Sequence, residues 1–507
     1  MKQKILIGYD IGSSSIKASA INADTGELIV SGSSPEQEMK IDSPKIGWAE
    51  QNPETWYKHV VIATKKMLPK ISLDSSEFIG IGISYQMHGL VMVDKNLEVL
   101  YPSIIWCDSR AVEIGNQSFN NLGSEFCLSK YLNSPGNFTA SKLKWVKENL
   151  PDIYSKIYKI MLPGDYIAMK LTGKVFTTVS GLSEGIFWDF DKMAIADELI
   201  NYYGLNKDLV SETVPTFGEQ GKLTSEAAKE LGLKEGIPIT YRAGDQPNNA
   251  LSLNVLNPGE VASTAGTSGV IYGVADKNIF DNDSRVNTFA HVTYSKEQPN
   301  VGVLLCINGT GIQYSWIKQQ ILDGRFSYEE MNAMASSVEI GSKGLMCYPF
   351  GNGAERVLKN ANPLARFTGI NFNMHDKSDL IRSAQEGIAF TFRYGLDVMK
   401  EIGMEIGVIK AGYSNLFLSN VFREAFVNTC NVNLEIYNTD GSQGSARGAG
   451  IGSGYYSSLD NIMNFRNKQV FKGLKVIVRM SPEDELVKKY NSVYENWKSN
   501  LDTLLDS

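Results

Sequence analysis

The sequence predicts an α/β protein of two duplicated domains with a cleft between them. Two hydroxyl-rich glycine turns, at residues 10–15 and 264–268, lie between apolar strands and open the two halves of the chain. Near the midpoint, a short strand at 237–241 leads into a glycine-preceded aspartate and a run of small residues that can start a helix. At 507 residues the chain is too long for a single hydrophobic core. We therefore expect one domain over residues 1–250 and a second over residues 251–507.

The composition limits the classes of function. Apolar residues make up 43% and charged residues 21% of the chain, as in soluble globular proteins. The net charge of −7 argues against nonspecific nucleic-acid binding, although backbone amides can still bind a phosphate. No apolar stretch approaches the roughly 20 residues of a membrane span. Asp10 interrupts the first apolar run, so neither a membrane helix nor a signal peptide is expected.

The five cysteines and four histidines are scattered along the chain, and no CxxC pair occurs. An odd number of dispersed cysteines is typical of a reducing cytoplasm, and their spacing offers neither a disulfide framework nor a structural zinc site. We therefore expect a cytoplasmic protein without a histidine-based metal cluster.

In the first half, apolar runs bounded by turn residues predict strands and helices in alternation. Asn52 and Pro53 are the expected N-cap and first residue of a helix. Trp145 and the aromatic residues around Trp188 are expected to pack in the core. The predicted strands are 4–9, 16–21, 27–31, 77–84, 90–93 and 237–241, with a further apolar strand leading to Arg110. The predicted helices are 53–68, 139–148, 162–173 and 223–231.

In the second half, the same patterns predict a similar alternation. Five glycines between residues 444 and 454 indicate close helix packing or an open backbone wall rather than phosphate binding, because no strand is predicted directly before them. The strand, glycine turn and helix over residues 408–429 fit a slot for a nucleotide base. The predicted strands are 261–264, 270–274, 301–307, 344–349 and 408–411. The predicted helices are 312–321, 379–399, 420–429 and 481–505.

The first glycine turn has the chemistry of a phosphate site. Gly12, Ser13 and Ser14 present consecutive amides and hydroxyls that can hold phosphate oxygens, and Lys17 lies just behind them. Asp10 can hold Mg²⁺ directly or through water. The alternative is an ordinary glycine–serine hairpin.

The second turn, with Gly266, Thr267 and Ser268, repeats this chemistry at the start of the other half. The pair is more specific than either turn alone and indicates that a phosphate is held between two related halves. The sequence contains neither G-x-x-x-x-G-K-[ST] nor a G-x-G-x-x-G that follows a strand, so Walker-type and Rossmann-type phosphate sites are excluded.

Three polar clusters follow predicted strands, where α/β proteins place their chemistry. Asp245 follows the strand at the midpoint, and its alternative role is to cap the next helix. His88 lies in a polar turn after the strand at 77–84, although a lone histidine often only satisfies such a turn. Asp108 and Arg110 follow a third strand and are either ligand contacts or a surface ion pair.

Six short motifs together carry a family resemblance. They are G-Y-D-I-G-S-S-S-I-K at 8–17, Q-M-H-G at 86–89, W-C-D-S-R at 106–110, K-L-K-W at 142–145, A-G-D-Q at 243–246 and G-T-S-G at 266–269. Through these motifs the chain resembles the FGGY family of carbohydrate kinases, which has the actin/hexokinase-like, ribonuclease H-like fold. The resemblance extends from the first hairpin to about residue 454. Within the family, Q-M-H-G and W-C-D-S-R are most similar to xylulokinase members, and gluconate-phosphorylating members share the Met-His pair.

The resemblance implies a role for each matching residue. It makes Asp245 the catalytic base and Asp10 the magnesium-linked residue, with a sugar-binding domain at 1–250 and a nucleotide-binding domain at 251–507. Tyr413 stands where the family often has a glycine. The implied sugar contacts are Gln86, Met87, His88, Asp108 and Gln246. The implied contacts to ATP are Asp10, Gly12, Ser13, Ser14, Lys17, Gly266, Thr267, Ser268, Gly309, Gln313, Gly412 and Asn415.

The resemblance also implies an activity. The expected reaction is ATP- and Mg²⁺-dependent phosphorylation of D-xylulose to D-xylulose 5-phosphate. A kinase for another ketose, a polyol or gluconate is the first alternative, and a non-catalytic sugar or nucleotide sensor on the same fold is the second. An actin-like filament protein or chaperone ATPase is the third. The expected partners are the sugar and ATP, without nucleic acid or membrane, and a homodimer is possible for the family.

Overall fold

The computed structural model describes residues 2–456 and 470–506. Among these residues, no helix is long and apolar enough to cross a membrane. All five cysteines carry free thiols. The strands are β1 (Gln3–Ile11), β2 (Ile16–Asn22), β3 (Leu28–Ser34), β4 (Glu50–Gln51), β5 (Ser76–Tyr85), β6 (Val91–Val93), β7 (Ser103–Ile104), β8 (Lys159–Met161), β9 (Phe176–Thr177), β10 (Trp188–Asp189), β11 (Ala194–Ile195), β12 (Glu212–Thr213), β13 (Ile239–Gly244), β14 (Glu260–Ala265), β15 (Gly269–Ala275), β16 (Asn287–Ala290), β17 (Val301–Ile307), β18 (Met346–Phe350), β19 (Leu364–Thr368), β20 (Val408–Gly412), β21 (Asn433–Tyr437) and β22 (Val476–Met480).

Helices cover and connect these strands. Helix α1 begins as the sequence predicts, because the Asn52 side chain accepts a hydrogen bond from the Glu54 amide and Pro53 occupies the first turn. The helices are α1 (Pro53–Met67), α2 (Val112–Leu122), α3 (Ser124–Tyr131), α4 (Thr139–Asn149), α5 (Pro151–Tyr154), α6 (Pro163–Thr172), α7 (Val179–Glu184), α8 (Asp197–Tyr202), α9 (Ser225–Leu231), α10 (Asp245–Ser252), α11 (Gly311–Trp316), α12 (Tyr328–Ser336), α13 (Lys377–Glu401), α14 (Asn420–Cys430), α15 (Gly441–Gly452) and α16 (Asp484–Leu505).

Two large sheets carry the two halves of the chain. The first has the strand order β13-β5-β1-β2-β3, and the second has the order β16-β17-β15-β14-β20-β21-β22. In the first sheet, β1, β2 and β3 form an antiparallel meander, and β5 and β13 add in parallel on the other side of β1. In the second sheet, β14, β15 and β17 form the meander, and β20 and β21 add in parallel. The shared topology confirms the predicted duplicated α/β fold.

The glycine-rich helix α15 joins the two halves. It follows β21 of the second sheet but packs on β1, β5 and β13 of the first. A Cβ added to Gly82 would lie 1.9 Å from the carbonyl oxygen of Ser445, and one added to Gly452 would lie 1.8 Å from that of Thr240. The Ser445 hydroxyl also donates to the carbonyl oxygen of Tyr9, at 2.8 Å. The glycines therefore permit close helix–sheet packing, as the sequence predicts.

Three predicted elements differ from the structure. Helix α10 begins at Asp245 rather than near residue 250, because a helix tolerates Pro247 in its first turn, where no amide is needed. A strand does precede the glycine-rich segment, since the short run Asn433–Tyr437 forms β21. The apolar run before Arg110 contributes only the two-residue strand Ser103–Ile104.

Candidate active site

Two aspartates share a cavity at the first glycine turn. Asp10 lies near the end of β1, and Asp245 is the first residue of α10 after β13, in the same sheet. The cavity has a volume of about 260 Å³, and we call it the carboxylate cavity. Its lining comprises Asp10, Gly12, Ser13, Ser14, Ser15, Lys17, Gln86, Trp106 and Asp245. Seven of the residues singled out from the sequence are thus brought together.

Asp245 has the electrostatics of a general base. Burial and the nearby charge of Asp10 raise the pKa of its carboxyl group to about 7, against the opposing effect of hydrogen bonds from Gln246 and from its own backbone. Its position at the N-terminus of α10 also favours the negative charge. The carboxyl group therefore titrates near neutral pH, which suits proton transfer in either direction. Gln246 lies beside it, as predicted, but outside the cavity lining.

Asp10 has oxygen-rich surroundings. The Ser84 hydroxyl donates to its carboxylate at 3.0 Å, and Lys17 lies opposite it on β2. Burial raises its pKa, with a further contribution from Asp440, while Ser84 and Lys17 act in the opposite direction. A Cβ on Gly441 would lie 2.5 Å from the carboxylate, so the absence of a side chain there keeps space beside it.

These surroundings fit a divalent cation. Asp10 and Asp245 line one cavity, and the negative charge of Asp10 acts on the carboxyl group of Asp245. Carboxylate, hydroxyl and water oxygens are the ligands that Mg²⁺ prefers. The donor set of the carboxylate cavity is therefore of the right kind for Mg²⁺.

Gln51 supports the first glycine turn, although no motif in the sequence indicates it. Its Nε2 donates to the carbonyl oxygen of Ser13 at 2.8 Å, and its Oε1 accepts from the indole of Trp56 at 3.0 Å. The Gln86 amide reaches the same Oε1 at 3.4 Å. Trp106 donates its indole N–H to the Ser13 hydroxyl at 3.3 Å. These contacts fix the turn to the loop that contains Gln86.

His88 is held in an unusual backbone conformation. Its φ of 63° is left-handed, and its Nδ1 donates to the carbonyl oxygen of Glu184 at 2.9 Å. Burial and the charge of Lys142 lower its pKa to about 3, so the ring is neutral and its Nε2 is an acceptor. Phe138 contacts the ring edge to face, with centroids 4.8 Å apart. His88 therefore does more than satisfy the hydrogen bonds of its own turn, since Glu184 and Phe138, both far away in the chain, hold its ring in place.

Lys142 ties together two of the predicted substrate loops. Its ammonium group is fully buried and donates to the carbonyl oxygens of His88 and Ile105, both at 2.9 Å. Burial lowers its pKa to about 7, although Asp108 has the opposite effect. The sequence placed Lys142 only in a motif on an amphipathic helix. The periodic pattern of a helix does not reveal which of its lysines will be buried by loops from elsewhere in the chain.

Glu184 is a buried carboxyl group close to the catalytic candidate. Burial raises its pKa well above the usual range, and the charge of Asp245 adds to the effect. A Cβ on Gly244 would lie 2.9 Å from its Oε2 and 2.6 Å from Cγ of Met87. Met87 and Glu184 therefore both pack against the residue that precedes Asp245. No motif in the sequence had indicated Glu184.

Asp108 is buried and paired, which corrects the alternative of a surface ion pair. Its carboxylate accepts hydrogen bonds from the Arg110 guanidinium at 2.7–3.0 Å and from the Ala49 amide at 2.6 Å. Arg110 also pairs with Glu50 at 2.7 Å and lies 3.8 Å above the ring of Trp48. Because its oxygens are occupied and its side chain is unexposed, the geometry gives Asp108 a loop-fixing role instead of a direct sugar contact.

A second cavity lies beside the second glycine turn, in the other half of the chain. Its volume is about 570 Å³, and we call it the aromatic cavity. The rings of Tyr314 and Tyr328 stack there, with centroids 5.7 Å apart and planes 20° apart. Tyr413, which departs from the family pattern, also lies in the wall. The lining comprises Ala265, Gly266, Thr267, Gly311, Ile312, Tyr314, Ser315, Tyr328, Glu329, Asn332, Tyr413, Asn415, Leu416, Leu418 and Ser419.

Of the predicted nucleotide contacts in the second half of the chain, four lie outside this lining. Ser268 and Gly412 are next to it in the chain. Gly309 packs against the backbone, since a Cβ there would lie 1.4 Å from the carbonyl oxygen of Pro349. The Gln313 side chain points into the core, where its Nε2 donates to Sγ of Cys347 at 2.9 Å. Its placement therefore favours a packing role for this side chain.

Comparison with known proteins agrees with this arrangement. The FGGY family of carbohydrate kinases matches with its N-terminal domain over residues 5–252 and its C-terminal domain over residues 261–452. The chain is 27% identical over 506 residues to the xylulose kinase of Lactococcus lactis, covering 97% of this chain and 95% of that protein. It is 24% identical over 503 residues to the xylulose kinase of Bacillus subtilis, covering 98% and 96%.

Solved structures share the fold over almost their whole length. The xylulose kinase from Rhodospirillum rubrum superposes with a TM-score of 0.85 at 23% identity, covering 99% of both chains. The gluconate kinase from Lactobacillus acidophilus superposes with a TM-score of 0.88 at 21% identity, covering 100% of this chain and 99% of that one. The same fold thus occurs in proteins named for different sugars.

Proposed function

The chain belongs to the FGGY family of carbohydrate kinases, and on that premise we propose that it transfers the γ-phosphoryl group of ATP to a terminal hydroxyl of D-xylulose. The product is D-xylulose 5-phosphate. The observation that carries the proposal is the carboxylate cavity, where Asp245, with a pKa of about 7, shares one space with Asp10 and a phosphate-type turn. The names of the relatives from Lactococcus lactis and Bacillus subtilis support the choice of sugar.

In this mechanism Asp245 acts as the general base. Its ionised carboxylate accepts the proton of the attacking hydroxyl as the new O–P bond forms, and the γ-phosphoryl group leaves ADP. Asp10 would hold Mg²⁺, which neutralises charge on the phosphates when Mg-ATP is bound. Phosphoryl transfer depends mostly on positioning and charge stabilisation, so backbone amides and hydroxyls suffice for the rest.

The two halves have separate tasks in this proposal. Residues 1–250 bind the sugar and residues 251–507 bind the nucleotide; part of that second range lies outside the described residues. Gln86 in the carboxylate cavity, the backbone around Met87, and the acceptor Nε2 of His88 contact sugar hydroxyls, with Gln246 beside them. Gly12, Ser13, Ser14 and Lys17 hold phosphate oxygens. Gly266, Thr267 and Asn415, with Ser268 and Gly412 close by, line the path of the nucleotide.

The test is release of ADP from Mg-ATP in the presence of different acceptors. The panel contains D-xylulose, L-xylulose, D-ribulose, L-ribulose, glycerol, gluconate and no acceptor. We expect D-xylulose to give a kcat/KM at least tenfold above every other acceptor. A stronger response to another acceptor would retain the kinase mechanism and overturn the choice of sugar.

Asp245→Asn is the matched variant for this experiment. Removal of a general base costs roughly 10²–10⁴-fold in rate. We therefore expect kcat with D-xylulose to fall at least 100-fold, while calorimetry shows unchanged sugar affinity. A variant that keeps its activity would exclude Asp245 as the base. Folded wild-type protein that responds to no acceptor would favour a sugar or nucleotide sensor. A cytoplasmic location and a homodimer remain predictions from the sequence.

A further inference from the structure

The aromatic cavity contains a polar side chain whose orientation is fixed from behind. Asn332 lies on α12 and contributes to the cavity wall beside Tyr314 and Tyr328. Its Oδ1 accepts hydrogen bonds from the Tyr314 hydroxyl at 2.8 Å and from Nε2 of Gln385 at 2.9 Å. Gln385 is fully buried, so this pair of contacts faces the core.

These hydrogen bonds continue a chain that begins at the N-terminus of α14. The backbone amide of Phe422 donates to the Ser419 hydroxyl at 3.3 Å, and that hydroxyl donates to Oε1 of Gln385 at 2.7 Å. With Oε1 occupied in this way, Gln385 presents Nε2 to Asn332 and also to the Tyr314 oxygen, at 2.8 Å. The hydrogen bonds thus run in one direction, from the helix end through Ser419 and Gln385 to Asn332.

This relay leaves the amide nitrogen of Asn332 as the group that faces the cavity. Both hydrogen bonds to Oδ1 of Asn332 come from the core side. Within the part of the chain that the structure describes, the two N–H groups of its amide have no acceptor. Two stacked tyrosine rings and the apolar side chains of Leu416 and Leu418 lie in the same wall. A flat apolar ring that carries an acceptor on its edge complements such a wall.

We propose that Asn332 is a specificity-determining residue for the nucleotide base, and that its N–H donates to a ring nitrogen of adenine. The inference rests on the proposed function, because that function makes the aromatic cavity the nucleotide site. It also explains the buried relay. Gln385, Ser419 and Tyr314 together prevent Asn332 from turning its oxygen toward the base, where an acceptor would repel another acceptor.

The test is a double-mutant cycle between the protein and the base. Asn332→Asp keeps an oxygen for Tyr314 and Gln385 and replaces the donor with an acceptor. Calorimetry measures the affinity of wild-type and variant protein for ADP and for 1-deaza-, 3-deaza- and 7-deaza-ADP, without sugar. We expect wild type to bind one deaza analogue at least fivefold more weakly than ADP. In Asn332→Asp, the affinities for ADP and for that analogue should differ by less than twofold.

Comparing affinity ratios removes the effect of the negative charge that is added in the variant Asn332→Asp, because its repulsion of the phosphates affects ADP and the deaza analogues equally. Asn496→Asp, an exposed position on α16, is the matched control and should retain the wild-type ratios. Equal ratios in wild type and Asn332→Asp would overturn the inference while ADP binding itself upholds the proposed function. If wild-type protein binds no ADP, the proposed function fails and the inference fails with it.

Discussion

At the residue scale, Asp245 combines opposing influences. A helix N-terminus and bonds from Gln246 stabilise its charge, while burial and Asp10 destabilise it more strongly and raise its pKa to about 7. An aspartate in water would be ionised at that pH but would be a weak base. The raised pKa makes the carboxylate a better proton acceptor, and it retains a useful ionised fraction near neutrality.

This shift predicts the pH dependence of the reaction. Only ionised Asp245 accepts a proton, so we expect kcat/KM for the sugar to fall about tenfold per unit below pH 7 and to level off above it. The measurement is the initial rate between pH 5 and 9, with the pH stability of the protein checked in parallel. A plateau that extends down to pH 5 would contradict the assignment.

The raised pKa of Asp245 also makes the stability of the folded protein depend on pH, and this dependence serves as a control. Between pH 3.8 and about 7, unfolded Asp245 is ionised while the folded residue still holds its proton, so stability is lost as the pH rises. In Asp245→Asn this loss of stability is absent, because the asparagine side chain does not ionise. The melting temperature of the variant relative to wild type should therefore increase from pH 4 to pH 7 and then stay constant. A constant difference over the whole range would exclude the raised pKa.

Lys142 allows a second prediction at this scale. Lys142→Met leaves the carbonyl oxygens of His88 and Ile105 buried without their donor, at a cost of about 1–3 kcal/mol for each unsatisfied group. We expect the KM for the sugar to rise at least tenfold and the KM for ATP to change less than twofold. The measurement is steady-state kinetics with each substrate varied in turn.

Lys144→Met is the matched control for Lys142, since Lys144 lies on the same helix and pairs with Glu148 in a partly exposed i,i+4 bridge. Such a bridge contributes about 0.3–0.5 kcal/mol. Its kinetics should equal those of wild type. If Lys142→Met raises both KM values equally, the residue stabilises the fold in general and does not position the sugar loop.

Comparison of these residues shows what the sequence can and cannot predict about a site. Asp10 lies near the end of a strand and Asp245 directly follows one, and their neighbours in the chain reveal the turn beside each of them. Lys142 and Glu184 lie on helices whose patterns look ordinary. Their roles arise because other loops cover them, and that covering depends on contacts between residues far apart in the chain. Gln313 shows the converse, since tertiary packing turns its side chain toward Cys347.

At the element scale, helix α15 determines how the two halves meet. Its glycines were visible in the sequence, but the strand before it was not, because Asn433–Tyr437 is short and mixed in polarity. What local signals could not predict is that a helix belonging to one sheet would pack against the other.

Gly82→Ala tests this contact. The new methyl group would lie 1.9 Å from the carbonyl oxygen of Ser445, and a helix backbone cannot move away without disturbing its own hydrogen bonds. Overpacking of this kind costs about 1–3 kcal/mol. We expect the melting temperature to fall by several degrees in calorimetry. Gly407→Ala is the control, because its nearest neighbour lies 3.9 Å away and its effect should be within about 0.5 kcal/mol. Equal melting temperatures for the two variants would mean that the helix can shift freely.

At the scale of the whole molecule, duplication organises the protein. Each half contains a meander of three antiparallel strands followed by two parallel strands, and the last of these parallel strands leads into a helix, α10 or α15. The paired glycine turns predicted this repeat. The flanking strands β16 and β22 were not predicted, because they lack counterparts in the first half. The two equivalent helices contact each other, and the Asn248 amide donates to the carbonyl oxygen of Gly441 at 2.9 Å.

This arrangement predicts that the halves close around both substrates. A hydroxyl of the sugar must compete with water for the phosphoryl group, and exclusion of water from the carboxylate cavity favours the sugar. We therefore expect only weak ATP hydrolysis without sugar, and a smaller radius of gyration in X-ray scattering when D-xylulose and a non-hydrolysable ATP analogue are both present. Asp245→Asn retains binding and should show the same compaction without turnover. An unchanged radius together with sugar-dependent turnover would mean that local ordering of the loops, not movement of the halves, excludes water.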